Sequence, residues 1–122
     1  MEPPSPARLY AAGAGALLVL CGIVGFFYSA SFSSLDDLEP ALGPLEVNAW
    51  INLLYILTGA FGVLLAGVAS RGYSLALGLL YTLLGIFGPG AEGFHLVIGL
   101  LGLAAAAGTP SEPRAQPARE RA

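Results

Sequence analysis

Apolar residues in this chain come in long runs rather than in alternation. No charge falls between Arg8 and Asp36, and the apolar stretch Leu9 to Phe32 fills most of that interval. Further uncharged runs cover 47–70, 72–91 and 93–109, the last slightly short in its apolar part. A helix over about 20 apolar residues reaches across the roughly 30 Å of a bilayer's hydrocarbon. The alternation of a barrel strand is missing, and lipid offers unpaired backbone groups no partner. The pattern predicts an all-α integral membrane protein, a four-transmembrane-helix bundle with spans at about 9–32, 47–70, 72–88 and 93–108.

The breaks between runs predict the connections. Ser70-Arg71-Gly72 reads as a tight turn that makes spans two and three antiparallel neighbours, and Gly88-Pro89-Gly90 as a second one. The connection over 33–46 is the only long one. Leu35, Leu38, Leu42 and Leu45 give part of it an amphipathic spacing suited to lying on the membrane surface. The termini, 1–8 and 109–122, are rich in Pro, Ala and charge and are expected to be disordered.

Charge sets the orientation. With four spans, Arg8, Arg71, Arg114, Arg119 and Arg121 share one side with Glu2, Glu112 and Glu120, a balance of +2. Asp36, Asp37, Glu39, Glu46 and Glu92 fall on the other, a balance of −5. The positive-inside rule then places both termini in the cytoplasm. A secretory signal peptide is the competing reading of the first span, with Ser29-Ala30-Ser31 as its cleavage site. The stretch 9–32 is longer than a usual signal core, and its glycines have counterparts later in the chain.

Those counterparts form an internal repeat. A shift of 63 residues lays Gly15, Gly22 and Gly25 on Gly78, Gly85 and Gly88. A shift of 40 lays Gly59 and Gly62 on Gly99 and Gly102, Tyr55 on His95, and Asn52 on Glu92. The chain reads as two helical hairpins inserted in the same sense, a parallel repeat about an axis along the membrane normal. The ten glycines recur at three- and seven-residue steps, and with Leu18, Tyr81, Ala66 and Ala106 between or beyond them they follow the three- and four-residue spacing of a helix-packing seam in lipid.

Composition agrees and narrows the chemistry. Hydrophobic residues make up 56% of the 122 and charged residues 11%, where a soluble domain carries about a quarter charged. Net charge −3, with no Lys beside five Arg, leaves no basic surface for nucleic acid. The alanine- and glycine-rich, lysine-free usage suggests a high-GC bacterial genome. A single Cys and a single His give no metal or haem ligand set, so no cofactor is expected. Cys21 reads as a packing residue, while Trp50, Tyr10, Tyr28 and Tyr73 read as interfacial belt anchors. Asn48, Asn52, Tyr55, Glu92 and His95 collect at the outer ends of spans two and four. That polar cluster is either an interhelical hydrogen-bond cluster or a proton, ion or ligand site.

The segment Val47-Asn48-Ala49-Trp50-Ile51-Asn52-Leu53-Leu54-Tyr55, followed by Gly59, resembles the signature of a bacterial four-helix membrane family, domain of unknown function 4383. That signature runs approximately V-N-x-x-H-N-x-x-H with a glycine four residues on, and a later span carries N-W-x-H with a similar glycine. Val47, Asn48, Asn52, Gly59, His95 and Gly99 match it. Ile51 and Tyr55 stand where the pattern has histidines, and Glu92 stands for the asparagine before His95. The resemblance spans about 9–108. It implies the four-helix fold, and the departures remove the paired histidines that a metal or haem would need.

The leading expectation is a non-enzymatic, multi-pass protein of the bacterial inner membrane. It would act as a structural or interaction module whose partners are the bilayer and other membrane proteins or further copies of itself. The alternative is a small transporter or proton- or ion-coupled channel working through the polar cluster. A redox or quinone-linked subunit is a third class.

Overall fold

The computed structural model describes residues 2–34, 37–40, 46–88 and 92–111, apart from the side chains of Pro40 and Glu92. The protein is all-α in its main elements, with four helices: α1 (Pro6–Phe26), α2 (Ala49–Leu65), α3 (Ser70–Phe87) and α4 (Glu92–Ala107). Between α1 and α2, β1 (Glu39–Pro40) pairs antiparallel with β2 (Glu46–Val47), Glu39 opposite Val47, an element the sequence does not predict. Leu38 turns into the core, while Leu35, Leu42 and Leu45 of the proposed amphipathic stretch lie outside the described residues.

Local chemistry sets the helix ends. Ser5 caps α1 by accepting the Arg8 N–H at 3.0 Å, and Pro6 occupies the first turn, where a missing N–H costs nothing. The expected disorder before Leu9 therefore does not hold for Glu2–Arg8. Helix α1 stops at Phe26, six residues before the apolar run does. Asn52 Nδ2 donates to the Ser29 carbonyl at 3.0 Å, and the Ala49 N–H donates to the Ser31 carbonyl at 3.3 Å. These bonds hold the chain after α1 against the start of α2. There Asn48 caps the helix, its side chain accepting the Ile51 N–H at 2.8 Å.

The turn between α2 and α3 lies earlier than expected. Leu65–Val68 is a type II turn: Ala66 has φ −60° and ψ 122°, Gly67 has φ 84°, and the Val68 N–H reaches the Leu65 carbonyl at 2.9 Å. The positive φ at its third position is the reason for glycine there. Ser70, Arg71 and Gly72 form the first turn of α3 instead, and Ser70 Oγ accepts the Gly67 N–H at 2.9 Å.

Helix α1 packs along α2, and α3 packs along α4; α2 and α3, the neighbours expected from the short connection, touch only slightly. Two tight hairpins therefore meet each other through a looser seam. Within them the repeat holds atom by atom. A Cβ built on Gly15 would lie 2.9 Å from Val63 N, and one on Gly78 would lie 2.6 Å from Leu103 N. Gly22 faces Ile56 where Gly85 faces Leu96, and Gly59 faces Val19 where Gly99 faces Thr82. Every one of these partners is the other's counterpart at a shift of 63 or 40. Because α1 and α3 start at the same end, the rotation relating the hairpins runs along the helices. Gly88 departs from the set: it caps the end of α3, and the atoms nearest a Cβ built there belong to Leu84 of the same helix.

The bundle buries small and polar residues and exposes large apolar ones. Leu9, Phe27, Leu64 and Phe87 are each more than 70% exposed, whereas Asn52, Ser74, Tyr55 and Tyr81 are fully buried. Of the helices among the described residues, α1 alone is long and apolar enough by itself to cross a membrane; Ala49–Leu65 and Gly93–Ala107 are shorter apolar helices.

Candidate functional site

The repeat places Tyr55 of α2 and His95 of α4 at equivalent positions, and they meet where the hairpins face each other. Tyr55 Oη lies 2.8 Å from His95 Nε2, with both side chains buried. Tyr81 joins them: its ring stacks on Tyr55 with centroids 6.3 Å apart and meets His95 edge-on at 5.6 Å. Phe94 closes the group, edge-on to Tyr55 at 5.7 Å. His95 Nδ1 has no hydrogen-bond partner among the described residues. One ring nitrogen therefore bonds to Tyr55, and the other is buried.

Of the other expected cluster residues, Asn48 caps α2, and Asn52 reaches sideways to α1, its amide lying over Gly25. A Cβ on Gly25 would run into the Asn52 Oδ1, so glycine is what admits that amide. The Oδ1 itself accepts no hydrogen bond among the described residues. Glu92 opens α4, and its side chain lies outside the described residues.

Two tyrosines assigned to the interfacial belt are interior. Tyr10 and Tyr73 are 8% and 7% exposed and lie 6.4 Å apart between centroids. Each crosses to the opposite hairpin. Tyr10 Oη donates to the Ile98 carbonyl, and Tyr73 Oη to the Thr58 carbonyl, both at 2.7 Å. Tyr10 and Tyr73 differ by the repeat shift of 63, and Thr58 and Ile98 by the shift of 40. That arithmetic is the signal that would have identified them. Trp50 and Tyr28 remain partly exposed, and the Trp50 indole donates to the Ser33 carbonyl at 3.3 Å.

Thr58 links this layer to the one around Tyr81. Its Oγ1 donates to the Leu54 carbonyl at 2.7 Å and accepts from Tyr81 Oη at 2.8 Å. Thr82, at the position equivalent to Val19, has a buried Oγ1 with no hydrogen-bond partner among the described residues. No group of three or more His, Cys, Asp or Glu suited to a metal occurs among the described residues. Cys21 is half-buried against the core.

A second polar layer closes the end of the bundle where α1 and α3 begin. Glu2 accepts the Ser70 N–H on its carboxylate at 3.3 Å and donates its own N–H to the Gly67 carbonyl at 2.7 Å. Arg8 donates to the Glu2 carbonyl. Thr109 Oγ1 accepts the Ala7 N–H at 2.9 Å, and the Thr109 carbonyl accepts from Arg71 Nε at 3.0 Å.

These features define a duplicated four-helix protein with an aromatic, hydroxyl-rich interior. The chain belongs to the family described as Domain of unknown function (DUF4383), whose model matches residues 8–94. The match runs from Arg8, in the first turn of α1, through α2 and α3 to Phe94 at the start of α4, one residue short of His95. No curated protein and no solved structure matches the chain.

Proposed function

We propose that this is a multi-pass membrane protein whose four helices cross a bilayer with both termini on the cytoplasmic side. Its role in this reading is that of a structural or interaction module rather than an enzyme. The observation that carries the reading is the amount of large apolar surface that faces outward. Leu, Phe, Ile and Val side chains of all four helices are exposed, while Asn48, Asn52, Ser70, Ser74 and His95 are buried beside Tyr55, Tyr81 and a few aliphatics such as Leu18 and Ile98. Water would drive those outer side chains together, whereas lipid tails solvate them. The segregation of Arg8 and Arg71 from Asp37, Glu39 and Glu46 at opposite ends of the helices supports the orientation.

The interior favours attachment over passage. The hydroxyls of Tyr10, Tyr73, Thr58 and Ser74 end on backbone carbonyls, which hold a helix in place, and Tyr55–His95 is the one buried pair a proton route would have to use among the described residues. Two measurements test the proposal. Reporter fusions at each terminus and in the connection over 33–46 should put the ends in the cytoplasm and the connection outside. Crosslinking in native membranes followed by purification should recover a defined membrane partner or a further copy of the chain. Ion or proton flux in liposomes that is lost in His95→Phe would replace this reading with the transporter one.

A further inference from the structure

Four of the five tyrosines, Tyr10, Tyr55, Tyr73 and Tyr81, are buried, and their hydroxyls end on different acceptors. Tyr10 and Tyr73 donate to the carbonyls of Ile98 and Thr58, and Tyr81 donates to the Thr58 hydroxyl. None of those oxygens is a base that keeps a proton near neutral pH. Of the four, Tyr55 alone meets an imidazole, 2.8 Å from His95 Nε2. Imidazole is the side chain whose proton affinity is matched to that pH range.

Counting partners among the described residues gives the direction of the bond. If Tyr55 Oη donates to Nε2, only the Nδ1–H is left without a partner. If Nε2–H donates to Oη instead, the Nδ1 lone pair and the phenolic hydrogen both go without. Unmet buried groups are costly, so the first arrangement holds and the phenol points its proton at a basic nitrogen.

That geometry has a redox consequence. A phenol loses an electron readily only when its proton leaves with it, because the phenol radical cation is a far stronger acid than the phenol. A base at hydrogen-bond distance therefore separates an oxidisable tyrosine from its inert neighbours. Burial decides how long the product lasts. Tyr55 is 0% and His95 1% exposed, so a radical on Oη is kept from a second radical with which it could couple. The Tyr81 ring lies 5.6 Å from the imidazole, within the roughly 6 Å over which an aromatic ring attracts a cation.

We propose that the Tyr55–His95 pair is a one-electron redox site that takes the oxidising equivalent of a peroxyl radical. Tyr55 gives up one electron; its Oη–H bond breaks and an N–H bond forms at His95 Nε2, leaving a neutral phenoxyl radical beside an imidazolium. The peroxyl radical gains the electron and, with one proton from water, leaves as a hydroperoxide. The oxidant need not touch Tyr55, since a helix is about 10–12 Å across and an electron tunnels through one such layer. The site goes beyond the attachment role and does not depend on it, because the pair lies in the interior whatever solvates the outer surface.

The test uses the full chain in detergent micelles, with peroxyl radicals generated in the micelle by a lipid-soluble azo initiator under air and samples frozen for electron paramagnetic resonance. Wild type should trap a tyrosyl radical whose oxygen carries one hydrogen-bonded proton, seen by electron–nuclear double resonance and lost after preparation in D2O. Tyr55→Phe should lower the radical yield at least fivefold, while Tyr10→Phe and the exposed Tyr28→Phe should leave it unchanged. His95→Gln offers Tyr55 a polar partner without a base, and should lower the yield at least fivefold with an unaltered circular dichroism spectrum. Wild type without a radical, a Tyr55→Phe or His95→Gln yield equal to wild type, or a radical lacking the exchangeable proton would each overturn the proposal. The last of these is read on the unaltered chain, so it decides even where a variant fails to fold.

Discussion

Gly59→Ala tests the packing of the first hairpin directly. A Cβ there would sit 2.5 Å from the Gly15 carbonyl oxygen and 2.7 Å from Val19 N, both backbone atoms that no rotamer change can move. Ordinary contact begins at 3.4 Å, so α1 and α2 must part locally by about 0.9 Å. A gap of 0.5–1 Å forfeits about a quarter to a half of each dispersion contact along the crossing. Overpacking of this kind costs about 1–3 kcal/mol, partly offset by the 0.5–1 kcal/mol that alanine gains over glycine in a helix. Gly13 supplies the control, because a Cβ there meets nothing within 4 Å. Gly13→Ala should be neutral or slightly stabilising, and Gly59→Ala should fall below it by about 2 kcal/mol. Gly99→Ala should match Gly59→Ala, since Thr82 stands against it as Val19 stands against Gly59. Reversible unfolding in mixed micelles, followed by helical circular dichroism and Trp50 emission, measures all three. A Gly59→Ala protein within about 0.5 kcal/mol of Gly13→Ala would refute the close crossing.

Thr82→Val removes a buried hydroxyl that has no hydrogen-bond partner among the described residues and installs the residue found at the equivalent position 19; stability in the same assay should stay level or rise. Tyr10→Phe and Tyr73→Phe each delete one cross-hairpin hydrogen bond of the same geometry, so each should cost about 0.5–1.5 kcal/mol, and the two losses should agree within error. Tyr55→Phe strands His95 with both ring nitrogens unpartnered and should cost about 1–3 kcal/mol, while adding His95→Phe to it should recover part of that loss; a double-mutant cycle with no coupling would deny the 2.8 Å contact.

Much of this arrangement is legible in the sequence because the repeat is written in residues that determine close approach. The shifts of 63 and 40 read from glycine positions correctly pair Gly15 with Gly78 and Gly59 with Gly99, and they bring Tyr55 to His95. The failures share one cause. Apolar runs report where a chain can be helical, not where it stops, so the first run overshoots Phe26 and the second overshoots Leu65. Helix ends depend on single bonds, such as Asn52 to Ser29 and Ser70 to Gly67, that average hydropathy does not register. Tyr10 and Tyr73 fail for a related reason. A tyrosine near the end of an apolar run looks interfacial by composition, and only its partner across the repeat reveals that it points inward. The ordered Glu2–Arg8 segment depends on contacts with Gly67 and Ser70, more than sixty residues away, which no local pattern encodes.

The two kinds of contact divide the work of assembly. Within each hairpin, glycines bring backbones together, and dispersion over a long crossing holds the pair. Between hairpins the bonds are polar: Tyr10 to Ile98, Tyr73 to Thr58, Tyr81 to Thr58, Ser74 Oγ to the Ala7 carbonyl at 3.3 Å, and Tyr55 to His95. Glu2 to Ser70 and Ala7 to Thr109 add two more at the helix ends. In lipid, where apolar surfaces gain little by meeting each other, close packing and hydrogen bonds are what remain to join helices. Glycine crossings are short-ranged and fail together once helices part, which makes each hairpin a rigid unit. Side-chain bonds tolerate small shifts and can be exchanged singly, so any relative movement of the hairpins belongs to the seam between them. That seam contains the buried Tyr55–His95 contact, so a change there acts on the relation between the hairpins rather than on either hairpin alone.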